Sequence, residues 1–403
     1  MKYDFDTPVE RKGFSNLKEN MSEKTVIEAG NVSFCAGEMD FKTAPAIEKM
    51  TLKLARNGLY GYTVCDDTYR NQVCNWMQEQ RGFQLQQEWI VPTLGTIHSL
   101  ATAIRLLTVE GEEILVNTPF YSRYEQAARR LHRQTVKSPM LVIEGRYRLD
   151  FADMEERIRS GNIKLFVFSN PCNPTGQIYE EEELVKLKAL MKKYKVSVFC
   201  DEIFAETVYG GRRVMSYCEI AGVEGTLVAT SMGKSFNLTG ANHANIIIPD
   251  EKLREEFIQQ RNADHYGSID PWIYSALRGA YSTEGADWLR QMNTYVEENI
   301  RMIKAFFEKE LPEVKVYGGE GAYILWMDWS SLFPTAEKLF DFLIYKAYLD
   351  LDPGNHYGEE YACYTRMCVA SPRYLIEKAL VMLKKAVETI RQQGKQNPLF
   401  TDA

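Results

Sequence analysis

Lys234 stands in Ser231-Met232-Gly233-Lys234-Ser235-Phe236-Asn237, directly after the apolar run 226–230. Small residues around a lysine let a ligand approach closely. A lysine shielded from water and near other cations gives up its proton more readily and becomes a nucleophile, whereas one facing solvent is only a hydrated charge. Asp201, in Phe199-Cys200-Asp201-Glu202-Ile203, ends a second apolar run. Such an acid either caps a helix or pairs with the nitrogen of a heteroaromatic ring and keeps it protonated, as an electron-sink group requires. A third cluster is Ser169-Asn170-Pro171-Cys172-Asn173-Pro174-Thr175-Gly176. Asn-Pro steps are turn signals, and two of them followed by Thr-Gly are rarer than a lone turn. Finally, Thr93-Leu94-Gly95-Thr96 opens a helical pattern. Backbone N–H groups at such a start can cradle a phosphate, although Gly-Thr begins many helices.

The elements that carry these residues are short. Runs 113–116, 164–169, 196–201, 226–230 and 245–248 are rich in Val, Ile, Leu and Phe and show no polar alternation. That pattern predicts strands buried on both faces of a mostly parallel sheet. Between them, 180–194 begins with acids and ends in Lys192 and Lys193, matching a helix dipole. A second helical pattern, 97–107, follows Gly95-Thr96. The alternation predicts a doubly wound α/β domain, with ligands gathering at the carboxyl ends of its strands. Beyond about residue 285 the pattern changes. A long helix, 288–311, precedes a strand over 322–328 and further helices, which predicts a smaller α+β domain joined by the amino-terminal segment.

The bulk numbers exclude several classes. With 403 residues the chain can bury a large core. A formal net charge of -7 leaves no electrostatic footprint for nucleic acid or an anionic membrane. The longest apolar runs are far too short to cross a bilayer. The eight cysteines form no C-x-x-C pair and sit among apolar neighbours, which predicts reduced, buried thiols. The five histidines are scattered, so no metal site is expected. The start, Met1-Lys2-Tyr3-Asp4-Phe5-Asp6, has no basic segment leading into an apolar run. A secretory signal is therefore not expected, and a cytoplasmic location is.

Taken in order, Asn-Pro-x-Asn-Pro-Thr-Gly, Asp-Glu and Ser-x-x-Lys resemble the fold type I pyridoxal 5′-phosphate (PLP) enzymes of the class I/II aminotransferase superfamily, over residues 34–379. Within it the chain resembles the cystathionine β-lyase or carbon–sulfur lyase branch, the MalY/PatB group. Four segments carry that likeness: Ala36-Gly37-Glu38-Met39-Asp40-Phe41, Tyr60-Gly61-Tyr62-Thr63, Lys234-Ser235-Phe236-Asn237-Leu238-Thr239-Gly240, and the stretch 280–289.

The resemblance implies a mostly parallel seven-stranded sheet in a large domain, 46–284, and a small carboxyl-terminal domain, 285–403, with segment 1–45 packing on the small domain. It implies that Lys234 holds PLP as a Schiff base and then moves the Cα proton of an amino-acid substrate. Asp201 would pair with the pyridine nitrogen, Asn173 with the phenolic oxygen, and Tyr121 would stack on the ring. Gly95, Thr96, Ile97 and Ser231 would bind the phosphate. Tyr62 would reach the phosphate of a neighbouring subunit, so a homodimer is implied. Arg366 would clamp the substrate carboxylate, which suits a planar, bidentate guanidinium, and Gly37 would add a backbone contact.

Three positions depart from related patterns. Asn242 stands where many aminotransferases carry an arginine, as the lyase branch also tends to lack it. Phe204 replaces a tyrosine or histidine, and Gln177 replaces an arginine common in the lyases. The resemblance thus points to β-elimination from a cysteine-type substrate. An aminotransferase on the same site is the alternative, and a PLP-binding regulatory protein is a third reading.

Overall fold

The computed structural model describes residues 2–222, 224–264 and 266–394. Seven strands build the main sheet: β1 (Ile90–Thr93), β2 (Glu113–Thr118), β3 (Gln134–Pro139), β4 (Ile163–Ser169), β5 (Ser197–Asp201), β6 (Thr226–Thr230) and β7 (Ala244–Ile247). They lie in the order β1-β7-β6-β5-β4-β2-β3. All neighbouring pairs are parallel except those of β7, which runs against both β1 and β6. Four further strands, β8 (Lys315–Gly318), β9 (Ile324–Asp328), β10 (Asp352–Pro353) and β11 (Tyr364–Cys368), form a separate antiparallel sheet ordered β8-β9-β11-β10. Five helices bear on the site: α1 (Asp67–Arg81), α2 (Thr96–Leu107), α3 (Met232–Ser235), α4 (Thr283–Glu310) and α5 (Arg373–Gly394).

The unbroken apolar runs have the expected cause. In β4, Leu165 and Val167 join one hydrophobic cluster while Phe166 and Phe168 join the other. In β6, Leu227 and Ala229 face one way and Val228 the other. Successive side chains point to opposite faces, and helices cover both faces, so neither face tolerates a polar residue. Two edge strands escape the sequence pattern. β3 reads Gln-Thr-Val-Lys-Ser-Pro, polar because one long side of it is unpaired. β1 contains Pro92, which an edge strand accepts because it need not donate on its free side.

The long helix begins at Thr283 rather than near 288. Ser282 caps it by accepting the Gly285 N–H, and a glycine in the first turn conceals the start. The amino-terminal segment packs here too. Phe5 is buried against Phe41, Trp288 and Tyr295, and the backbone N–H of Phe34 donates to Asp350 at 2.9 Å. Among the described residues, no helix is long and apolar enough to cross a membrane.

Beneath the main sheet a buried ion pair joins the end of α1 to the end of β5. Arg81 Nη2 donates to Glu202 Oε2, and both side chains are essentially inaccessible. Removing one partner of such a pair strands a buried charge. Arg81→Met is therefore expected to cost about 3–5 kcal/mol, read as a drop in the urea midpoint. Arg290→Met, at the exposed pair with Asp287, should change stability by less than about 1 kcal/mol. Equal effects at the two positions would refute this account.

Candidate active site

Strand register sets the first distances. Ser169, Asp201 and Ala229 stand abreast at the carboxyl ends of β4, β5 and β6. The loops that leave these ends carry Asn173, Glu202 and Lys234. One edge of the sheet thus receives the three clusters that the sequence placed at strand ends.

Lys234 lies on α3, a single turn capped by Ser231, whose Oγ accepts the Gly233 N–H at 3.0 Å and donates to the His243 carbonyl at 2.8 Å. Its Nζ donates to the Gly37 carbonyl at 2.7 Å and lies 5.4 Å from the centre of the Phe204 ring. Burial, and after it the positive charge of Arg366, push the lysine's pKa down to about 8. A Cβ at Gly37 would sit 2.8 Å from Lys234 Nζ, so a side chain there would push the lysine amine aside.

Asp201 is buried, and burial pushes its carboxyl up to about 6. The Tyr124 hydroxyl, donating to Oδ2 at 2.8 Å, and the Ile203 N–H, donating to Oδ1 at 3.2 Å, oppose that rise. Tyr124 in turn meets the Tyr121 ring edge-on, with centroids 5.6 Å apart. The carboxylate is therefore fixed on one side by a phenol beside the residue expected to stack on a ring.

Arg366 sits at the centre of the small sheet, with Trp326 and Asp352 as its register partners on either side. Burial alone would disfavour its charge, but Asp352, to which Nη2 donates, and Tyr357, whose ring centre is 5.1 Å from the guanidinium carbon, hold it firmly protonated. Nη1 donates to Asn173 Oδ1 at 3.0 Å. That bond takes the amide oxygen of Asn173 and turns its NH2 outward as a donor. The buried Nε of Arg366 has no hydrogen-bond partner among the described residues.

Gly95 precedes α2 with φ +102 and ψ 166, a conformation that glycine adopts without strain. It delivers Thr96 and Ile97 to the first turn, where backbone N–H groups lack partners within the helix. His243 lies at the same end. Burial pushes it down to about 4, so it is neutral, and the Tyr69 hydroxyl meets its Nε2 at 3.1 Å. Tyr62 stands apart: its side chain is fully exposed, in a stretch where Leu59, Tyr60 and Val64 are exposed as well.

The structure therefore brings Lys234, Asp201, Asn173, Arg366 and Gly37 together and leaves Tyr62 outside the cluster of its own chain. The sequence reading missed Tyr124, Asp352, Tyr357 and Tyr323. Tyr323 is buried, packs edge-on against Phe204 at 5.2 Å and donates to the Gly37 carbonyl at 3.2 Å. Of the four, only Tyr124 had a local signal, its position three residues after Tyr121.

Known proteins resemble this chain in sequence and fold. "Cystathionine beta-lyase PatB" of Bacillus subtilis (strain 168) is 28% identical over 387 residues, covering 95% of this chain and 99% of the relative. Cystalysin from Treponema denticola, whose crystal structure contains a pyridoxal 5′-phosphate cofactor, superposes with a TM-score of 0.90 at 27% identity, covering 97% of this chain and all of that one. A PLP-bound C-S lyase from Staphylococcus hominis, complexed with the inhibitor L-cycloserine, gives a TM-score of 0.87 at 26% identity, covering 96% and 98%. The profile of the family "Aminotransferase class I and II" matches residues 29–383, and by that match, across most of its length, the chain belongs to this family.

Proposed function

We propose that the chain is a PLP-dependent carbon–sulfur β-lyase that splits cystathionine or a cysteine S-conjugate into a thiol, pyruvate and ammonia. The observation that carries this reading is the convergence of a lysine with a pKa near 8, a buried carboxylate and a buried arginine on one strand-end cleft. The names of similar full-length proteins support it. The donor set suits PLP: Asp201 for a protonated ring nitrogen, the free NH2 of Asn173 for a phenolic oxygen, and the start of α2 with Ser231 for a phosphate.

PLP, when bound, supplies an electron sink for charge developing at the substrate Cα. Lys234 would hold the group covalently, and its amine, once released, would take the Cα proton of the substrate. Asp201 would keep a pyridine nitrogen protonated, and Tyr121 would lie against the ring. Gly95, Thr96 and Ile97 offer N–H groups to the phosphate. Arg366 and the Gly37 backbone grip the substrate carboxylate, so that the Cα–H bond stands within reach of Lys234. The Cβ–S bond breaks with its electron pair on sulfur, and the thiolate takes up a proton. The remaining aminoacrylate leaves and reacts with water to give pyruvate and ammonia.

Three parts of this reading go with it. Tyr62 belongs to the site of a second copy, which its full exposure supports. The enzyme works in the cytoplasm. The chain divides into 1–45, 46–284 and 285–403, supported by Phe5 packing on α4; residues 395–403 of the last part lie outside the described residues.

Borohydride should fix the cofactor to Lys234, read by peptide mass. Lys234→Ala should still bind PLP but lose turnover by roughly two to four orders of magnitude, as expected when a nucleophile and general base vanish together. A label on another lysine refutes the assignment. Because only the unprotonated amine attacks, uptake of PLP by the cofactor-free protein should accelerate up to about pH 8 and then level off. A rate still climbing towards the range of an ordinary lysine would contradict the burial argument.

Reaction class is decided by acceptor dependence. A lyase returns the cofactor to its aldehyde form each cycle, so thiol, pyruvate and ammonia should appear in equal amounts with no keto acid added. If product forms only with a keto acid, and absorbance otherwise shifts to that of pyridoxamine phosphate, the enzyme is an aminotransferase.

A further inference from the structure

The pair Arg81–Glu202 has a second buried carboxylate beside it. Glu206 lies four residues beyond Glu202, and its Oε2 accepts the Ser235 hydroxyl at 2.8 Å, both side chains being buried. The Glu206 carbonyl accepts Asn293 Nδ2 from α4 at 2.8 Å. The other oxygen of Glu202 accepts the Tyr217 backbone N–H at 2.7 Å and the Ser216 hydroxyl at 3.1 Å. Arg81 therefore holds Glu202 directly and acts on Glu206 through space. Burial raises the Glu206 carboxyl above its ordinary range, and Arg81 and Ser235 oppose that rise. Arg81, Glu206 and Asn293 also line a cavity of about 300 Å³ whose walls include none of the residues placed around the cofactor.

The sequence neighbours give this group its meaning. Glu202 follows Asp201, and Ser235 follows Lys234. A four-residue helix such as α3 does not hold its own geometry, because a single turn is costly to form for so few hydrogen bonds. Ser231 restrains its start, and the Ser235–Glu206 bond restrains its end. Asp201 is likewise followed at once by a residue locked to Arg81.

We propose that Arg81, through Glu202, and Glu206, through Ser235, are positioning residues that set the separation of Asp201 from Lys234. The inference rests on the reading of Lys234 as the cofactor lysine. The Arg81 guanidinium is bonded to one carboxylate and attracts the other through space, so the strand end and the helical turn are both held against the same buried charge. A cofactor held by Lys234 and Asp201 would then meet a gap of fixed width.

The test uses the holoenzyme with Ser235→Ala, Ser235→Thr and Glu206→Gln, assayed with cystathionine. Visible circular dichroism of the bound cofactor, the pH midpoint of its absorbance and the melting temperature are recorded alongside. Ser235→Ala should lower kcat roughly tenfold with KM changed less than about twofold, since small misplacements act on the reacting geometry rather than on binding. Its dichroism and pH midpoint should shift, Ser235→Thr should restore both, and Glu206→Gln should fall between. If Ser235→Ala only melts earlier, with kcat, dichroism and midpoint those of the wild type, the bond is structural and the proposal is wrong. An unlabelled Lys234 in borohydride-treated wild type brings down the lysine reading and this proposal together; a labelled Lys234 with an unaltered Ser235→Ala brings down this proposal alone.

Discussion

Keeping charge dry is the constraint on which the rest of the structure depends. Asp201, Arg366 and Arg81 are buried and Lys234 is half-buried, and each ion so placed is costly unless something compensates it. The compensation is unequal. Arg81 has Glu202, Arg366 has Asp352, and Asp201 has the Tyr124 hydroxyl and a backbone N–H. Lys234 has the Gly37 carbonyl, which is a dipole and not a counter-ion. The two groups without a direct counter-ion are the two that burial drives towards neutrality: Asp201 rises to about 6 and Lys234 falls to about 8, whereas Asp352 keeps the buried Arg366 a fixed cation. Lys234 owes its reactivity to that missing counter-ion.

The sequence makes part of this visible. Strand β6 matches its predicted limits, and β4, β5 and β7 lie within a residue at each end, because a strand buried on both faces leaves an uninterrupted apolar run. The edge strands β1 and β3 do not read this way, since one unpaired side admits Pro92 and the polar residues of β3. The same division holds at the site. Lys234, Asp201 and Asn173 follow strands and come together by register alone. Asp352 and Trp326 meet Arg366 only through antiparallel pairing in the small sheet, and no local pattern announces which residues will stand opposite. Tyr323 reaches Gly37 across 286 positions and has no sequence signal at all.

Phe204 shows why neighbours matter more than the residue itself. A hydroxyl is absent at that position, yet its ring supports Lys234 on one side and Tyr323 on the other. Tyr323 presents its own hydroxyl to the carbonyl that Lys234 uses. The polar group bonded to the lysine amine is thus the Gly37 carbonyl, and the hydroxyl that shares it comes from Tyr323, just before β9, while Phe204 contributes an apolar surface.

The distances along the chain carry a consequence for synthesis. Lys234 meets Gly37 across 197 positions, and Arg366 meets Asn173 across 193. Contacts of such span form slowly, since chain entropy opposes them until most of the fold is in place. A nascent chain that has emerged only as far as Lys234 has the lysine, the aspartate and the helix start, but neither Arg366 nor the α4 packing. No fragment that ends before Arg366 holds a complete site, and until burial and Arg366 act on it Lys234 is an ordinary protonated lysine rather than a reactive amine.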